Sequence, residues 1–549
     1  MDKTIFESRS IKQLHSLLKM GNFAVPKLQR AFVWNGLKAA KLLDSVYRGM
    51  PIGSLTIWDT SRKNKNLLRH SLHVLPPYED HNKRIWFVLD GQQRLSVLYQ
   101  IFEGGERINA NHKTVDFDRV VFRVTEGDDN ARFQYRKAVV GEWVPVKTIL
   151  SPYWRTQLGW LTTGQLNRVR RCREALHEYS VPILRVTSEE IDEARELFIR
   201  INSLGTPLGA ADRAFSRASK FDLREIAERT WARLPTSFQG LTHETLLQTR
   251  ALLDGIKDVG ERAMEEVVAR WEKAIEGRHS TAKSFNSAWE RQRRAIARSL
   301  DCLRLHFSVL DDGLLPSQYM VATLAVFFYH RQAQPTDRQL REIRKWFWMT
   351  ALGQRYSGRG FRDNILSDAL FFKRLSIKGV ARFPLTERLD PNDLDRASYG
   401  QRSSIADALY CLMIRQKPRY VTNGHEIQLE EYASPANRKH KHHVFPKALL
   451  AGWGINARQA NRVLNLCLIS GEENSVFGAR HPRNYLAATR ERRYFARVMQ
   501  SHLLPYDERS AIWDQSVHRG YKAFIKERRR LIVRAVEAAV GGAKLFQRA

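Results

Sequence analysis

The sequence predicts an α+β protein of several domains: an α/β domain over residues 1–215, a helical connecting domain over 216–400, and a C-terminal domain over 401–549 holding a ββα unit in a helical surround. Three observations carry this. At 549 residues the chain is too long for one ordinary domain. Strand and helix patterns alternate to about residue 215 and then give way to helical spacing alone. The run His440-Lys441-His442-His443-Val444-Phe445-Pro446 packs three histidines together ahead of a second strand and a capped helix.

In the first domain a helix is broken at Val25-Pro26, and an extended segment runs through Gln29-Arg30 to Trp34. A second helix places Leu37, Leu42, Leu43 and Val46 at helical spacing and stops at Gly49. Pro51 and Gly53 make a turn before the strand Ser54–Trp58, and residues 61–83 read as a polar loop.

Next, Arg84–Leu89 forms a β-favouring strand that runs into Asp90-Gly91-Gln92-Gln93-Arg94, where a helix begins at once. Asp90 is the expected N-cap, and Gly91 allows the tight turn. A helix start presents free N–H groups and partial positive charge to an anion, and Arg94 can add its fork of donors. The same residues also fit an ordinary capped helix whose Gln and Arg face water. Further strands are expected at Arg119–Val124 and Val181–Val186, with a helix at Ile191–Ile201.

From 216 to 400 the pattern is helical, and Trp346-Phe347-Trp348 reads as core. The loop Arg355–Gly360 reads as basic and exposed. Tyr319–Tyr329 is the longest apolar run, about half a bilayer span, and reads as a buried helix.

Ninety Lys+Arg against 58 Asp+Glu give a formal charge of +32. Solubility needs far less, so the excess points to a polyanion, and nucleic acid leads. The charge is spread along the chain, whereas a membrane surface favours one concentrated amphipathic helix. Residues 480–549 hold 16 Lys+Arg and 6 Asp+Glu, which makes Arg528, Arg529 and Arg530 candidate phosphate contacts. The four cysteines lie far apart without a CxxC pair, and the N-terminus lacks a signal-peptide core. A soluble, cytoplasmic protein is expected.

Past Pro446, Arg462–Ile469 reads as a strand, and Ser470-Gly471-Glu472-Glu473 has the form of a capping box. Asn474 then lies near the first turn of a helix. Neighbours on a strand face opposite ways, so His442 and His443 can divide metal binding and proton transfer between them. Phosphodiester cleavage needs both, with a base for water and a cation at the leaving oxygen. A structural zinc site is the competing reading, with His425 and His481 as the extra ligands at hand.

The stretch from His442 to Asn474 resembles the HNH, or ββα-metal, nuclease motif. By that resemblance His443 is the general base, His442 and Asn474 are metal ligands, and Asn465 orients the base. Mg²⁺ or Mn²⁺ is the implied ion. At the other end, Gln29-Arg30 with Phe32 and Trp34, then Pro51-Ile52-Gly53, Asp90–Arg94 and Phe198–Thr206 resemble the DGQQR domain, related to the ParB/sulfiredoxin-like fold. The pair of domains is similar to GmrSD-type modification-dependent (type IV) restriction endonucleases, in an SspE- or BrxU-like layout. The resemblance implies a nucleoside triphosphate bound, and hydrolysed, at Asp90, Gly91, Gln92, Gln93 and Arg94 with Gln29 and Arg30 nearby. It also implies modified phage DNA as substrate. Two other functions remain open to the sequence: a non-catalytic sensor of DNA modification, and a nuclease toxin acting on host nucleic acid.

Overall fold

The computed structural model describes residues 3–547 except 28, 30–31, 70–73, 80–82, 110–113, 126–131, 137–140, 205–208, 219, 385–387, 402 and 429–440, and for 202–204 the backbone only. Arg30 and His440, singled out above, lie outside the described residues. The chain divides into two compact units, Met1–Arg224 and Glu225–Ala549.

The first unit is built on a five-stranded mixed sheet in the order Lys3–Ser10, Ser180–Thr187, Leu55–Ser61, Arg84–Asp90, Phe23–Ala24. Its strands are β1 (Lys3–Ser10), β2 (Phe23–Ala24), β3 (Leu55–Ser61), β4 (Arg84–Asp90) and β10 (Ser180–Thr187). β1/β10 and β3/β4 pair antiparallel; β10/β3 and β2/β4 pair parallel. Small sheets join β5 (Glu106–Ile108) to β6 (Thr114–Asp116), and β8 (Phe133–Tyr135) to β7 (Val120–Arg123) to β9 (Trp143–Pro145). β4 reads as a near-continuous apolar run because both of its faces are covered. Val88 packs with the helices Ile11–Lys19, Gly36–Tyr47, Gln92–Glu103 and Thr163–Glu178. Ile85, Phe87 and Leu89 pack on the other face with Ala194 and Phe198 of the helix Ile191–Leu204.

Two expectations change here. β1 is an additional strand, and Glu7, opposite Ile183 in its pairing with β10, reaches Arg185 diagonally at 3.4 Å. Leu37 leaves the apolar stripe of its helix and is 60% exposed, whereas Ala39, Ala40, Leu42, Leu43 and Val46 form the buried face.

The second unit is mostly helical, and its core helices include Ala282–Phe307, Gln318–His330, Asp337–Leu352, Phe361–Lys378 and Ser404–Arg415. Trp346, Phe347 and Trp348 are all buried. The loop after Leu352 is less open than its sequence suggests. Buried Asp368 accepts from Arg355, from Tyr356 Oη at 2.8 Å and from Trp346 Nε1 at 3.2 Å, which draws Arg355 and Tyr356 inward and leaves Gly353, Gln354 and Ser357–Gly360 exposed. Among the described residues no helix is long and apolar enough to cross a membrane.

Candidate functional site

In the first unit, β4 delivers Asp90 to the turn and Gly91 takes φ +84°, the left-handed region where glycine is favoured. A Cβ at Gly91 would sit 2.4 Å from Leu55 Cδ2, so the close approach of strand to helix also demands glycine. The helix Gln92–Glu103 starts with Gly91 as its cap, and Asp90, the expected cap, does something else. Its carboxylate accepts from Arg94 Nη2 at 3.0 Å. Arg94 Nη1 donates to Ile52 O at 2.5 Å and Nη2 to Ser54 O at 3.0 Å, so this arginine ties the Pro51–Ser54 turn to the helix start. Gly53, at φ +82°, makes room for it.

Gln29 Nε2 reaches Leu89 O at 2.5 Å and Val88 O at 3.2 Å, directly before Asp90. Gln93 Oε1 accepts from Val33 N at 2.8 Å. Gln92 is different. It is 2% exposed, and neither its Oε1 nor its Nε2 finds a hydrogen-bond partner. One turn on, the hydroxyl of buried Ser96 is also unpaired. Each such group costs about 1–3 kcal/mol when left dry, so this row of the helix has hydrogen-bonding capacity unspent by the fold.

In the second unit, β11 (Lys441–His443) pairs antiparallel with β12 (Leu466–Leu468), setting His442 opposite Cys467 and His443 opposite Leu466. The helix Gly471–Phe477 follows, capped by Ser470 Oγ accepting from Glu473 N at 3.2 Å. Only half of the expected capping box forms, because the Glu473 carboxylate turns to Thr422 N and Oγ1, both at 2.9 Å.

His442 is buried, at 3% exposure, with its ring edge-on to Phe477 and Tyr485. Burial lowers its pKa to about 4, so the ring is neutral. Tyr485 Oη donates to Val444 O at 2.8 Å and therefore receives from His442 Nε2 at 3.3 Å. That leaves the Nδ1 lone pair facing Asn474 Oδ1 at 2.8 Å. Two lone pairs do not face each other stably at this distance: either the amide turns over to donate, or a cation binds both atoms from one side. Adjacent ligands of an octahedral Mg²⁺ at its usual bond length stand about 3 Å apart, so the donor set fits a divalent ion.

His443 is half-buried, and burial lowers its pKa from the ordinary imidazole value. Its Nε2 donates to Asn461 Oδ1 at 3.0 Å, which leaves Nδ1 to accept a proton.

The roles expected of three residues need correction. Asn465 does not touch His443. Fully buried, it accepts from Phe445 N and donates to Phe445 O and Ala460 O, all at 2.9 Å, stapling the loop behind the strand. The residue that orients His443 is Asn461, four positions earlier. Arg528 cannot reach DNA, since it is 0% exposed and donates to Leu464 O at 2.9 Å and His502 O at 3.2 Å. Arg529 is held by Asp395 at 3.3 Å and by Asn392, so of the triplet only Arg530 is exposed. Sequence reasoning also missed Tyr485, which sits 43 positions from His442 with no local signal.

Zinc ligation by clustered side chains finds no support: among the described residues no three of His, Cys, Asp or Glu converge on a possible ion position. All four cysteines are free and buried.

Comparison with known proteins now bears on the first unit. Residues 11–218 match the family model for the N-terminal domain of GmrSD restriction endonucleases. The matched span begins at the helix after β1 and takes in the other four strands of the sheet and the whole Asp90–Arg94 turn, so the tied turn and unpaired Gln92 lie within the matched residues. The family that this model describes is one of restriction endonucleases. Over 543 residues the chain is also 23% identical to the uncharacterized protein MJ0686 of Methanocaldococcus jannaschii, covering 87% of each chain.

Proposed function

We propose that the protein is a nucleotide-regulated, metal-dependent DNA endonuclease of the HNH type, directed at modified foreign DNA. The observation that carries the reading is the asymmetry of the histidine pair. His443 keeps one nitrogen for Asn461 and one for a proton, and His442 turns a lone pair towards Asn474.

In this reading a water beside the scissile phosphorus gives its proton to His443 Nδ1. Asn461 accepts the Nε2–H and holds the ring in the tautomer that can do this. His442 and Asn474 hold a divalent ion, Mg²⁺ or Mn²⁺, and Tyr485 fixes the His442 tautomer that leaves Nδ1 free. When bound, the ion supplies charge stabilisation at the leaving oxygen.

The nucleotide belongs to the first unit. Gln92 offers a buried amide with donor and acceptor both unspent, beside the unspent Ser96 hydroxyl. Asp90, Gly91, Gln93, Arg94 and Gln29 build the turn that presents them.

A plasmid-nicking assay with Mg²⁺ or Mn²⁺ tests the proposal. Wild type should nick modified phage DNA, and His443→Ala should lose cutting while binding DNA nearly as well. A wild type that binds but never nicks would leave a modification sensor as the function. A His443→Ala protein that nicks at the wild-type rate would sink the site assignment.

A further inference from the structure

The connection between β11 and β12 contains the short helices Lys447–Gly452 and Ala457–Ala460, with its apex at Ala451-Gly452-Trp453-Gly454. Trp453 is 56% exposed there. Its ring stacks on no other ring and meets no cation among the described residues. The apex stands clear of the fold, since a Cβ added at Gly452 or Gly454 would meet nothing within 4 Å. It is nonetheless fixed: Gly454 turns the chain at φ +74°, and buried Ile455 anchors it through Ile455 N to Leu450 O at 3.1 Å.

A single exposed apolar side chain is common on any protein surface. Three features set this one apart. It lies on the connection that leaves β11 directly after His443 and returns to that histidine through Asn461. From Lys441 to Gly471 the chain has four basic residues, Lys441, Lys447, Arg458 and Arg462, and no Asp or Glu. Of these, Lys447 and Arg458 are exposed and make no ion pair among the described residues. The helix from Lys447 carries the apex about 9 Å from Pro446, the reach of roughly three base-pair steps.

We infer that Trp453 is a stacking wedge that enters duplex DNA beside the strand to be cut, while Lys447 and Arg458 hold the flanking phosphates. This rests on the nuclease reading of the His443 site. An indole offers a rigid π-face that any base can stack on, and inserted apolar side chains unstack base steps and bend the duplex. The wedge would seat the backbone against His443 and favour sites whose stacking is already weak.

The test uses the full chain and a duplex of the phage DNA that wild type binds most tightly, carrying 2-aminopurine in place of adenine within the bound site. Binding is read without metal, so that the fluorescence reports unstacking whether or not the strand can be cut. Wild type and Trp453→Phe should raise the 2-aminopurine signal, and Trp453→Ala should not. With metal present, Trp453→Ala should raise the KM for nicking roughly tenfold with kcat little changed. An unchanged thermal melt would show that Trp453→Ala still folds. Equal fluorescence and equal KM in wild type and Trp453→Ala would overturn the wedge. If wild type unstacks the probe but never nicks, the nuclease reading fails while the wedge stands.

Discussion

Replacing Asn465 and Asn461 separately by alanine distinguishes a staple from an orienting group. Asn465→Ala removes three buried hydrogen bonds and leaves Phe445 N, Phe445 O and Ala460 O without those partners. At about 1 kcal/mol for each bond, with a little more for orphaned groups, the loss is about 3–4 kcal/mol. The unit Glu225–Ala549 unfolds with a large entropy, so this corresponds to a melting shift of about 5 °C. Asn461→Ala removes one half-buried contact to a ring nitrogen. It should melt within about 1 °C of wild type, yet lose roughly 10–100-fold in kcat, because His443 is free to adopt the wrong tautomer. Calorimetry and plasmid nicking on the same preparations read the two effects. If Asn465→Ala melts like wild type but no longer cuts, Asn465 is the orienting residue after all and the reasoning fails.

Gln92→Leu should raise stability by about 1–2 kcal/mol in the absence of nucleotide, since two unpaired buried atoms are removed, and should abolish nucleotide binding by calorimetric titration. Arg528→Met should cost about 2–4 kcal/mol because Leu464 O and His502 O lose a buried donor. It should leave DNA affinity and its salt dependence unchanged, whereas Arg530→Ala should lower the salt slope by up to about 1 with no change in melting. His502, fully buried and bonded to Arg419 O at 2.8 Å, has its pKa lowered by burial from 6.5 to about 4. Below pH 6.5 the unfolded chain therefore binds a proton that the fold refuses, and stability should fall as pH drops from 6.5 towards 4, by about 3 kcal/mol from this group. His502→Gln should flatten that part of the pH–stability curve measured by denaturant titration.

Much of this was legible in the sequence where the signal is local. The run of β-favouring residues from Arg84 into Asp90-Gly91 forms the expected strand and turn, because the tight corner needs glycine whatever surrounds it. His442 and His443 do face different partners, as strand alternation requires. β1 stayed hidden because its partner β10 lies far along the chain, and the Glu7 carboxylate is neutralised by Arg185 of that strand as well as by its neighbour Arg9. Choosing between Asn461 and Asn465 needed the turn Val463–Asn465, which sends the second side chain back into the loop. Arg528 is the instructive miss. Read with Arg529 and Arg530 it looks like a surface charge run, but at helical spacing it falls in line with Phe524 and Ile532, which are both buried. Periodicity held the answer, and composition masked it.

The helix Val517–Ala539 has a consequence for when the second unit becomes functional. Phe524 lies against Phe445 with ring centres 5.1 Å apart, Tyr521 Oη donates to Gln459 O at 2.5 Å, and Arg528 closes on Leu464 O. These last two contacts join residues 62 and 64 positions apart. The hairpin carrying His442 and His443 therefore lacks these three supports until the helix has left the ribosome and folded back. A nascent chain, or one cut before Tyr521, would hold every candidate catalytic residue and still lack a formed site. Assembly order alone would then keep the proposed cutting activity silent while the chain is being made.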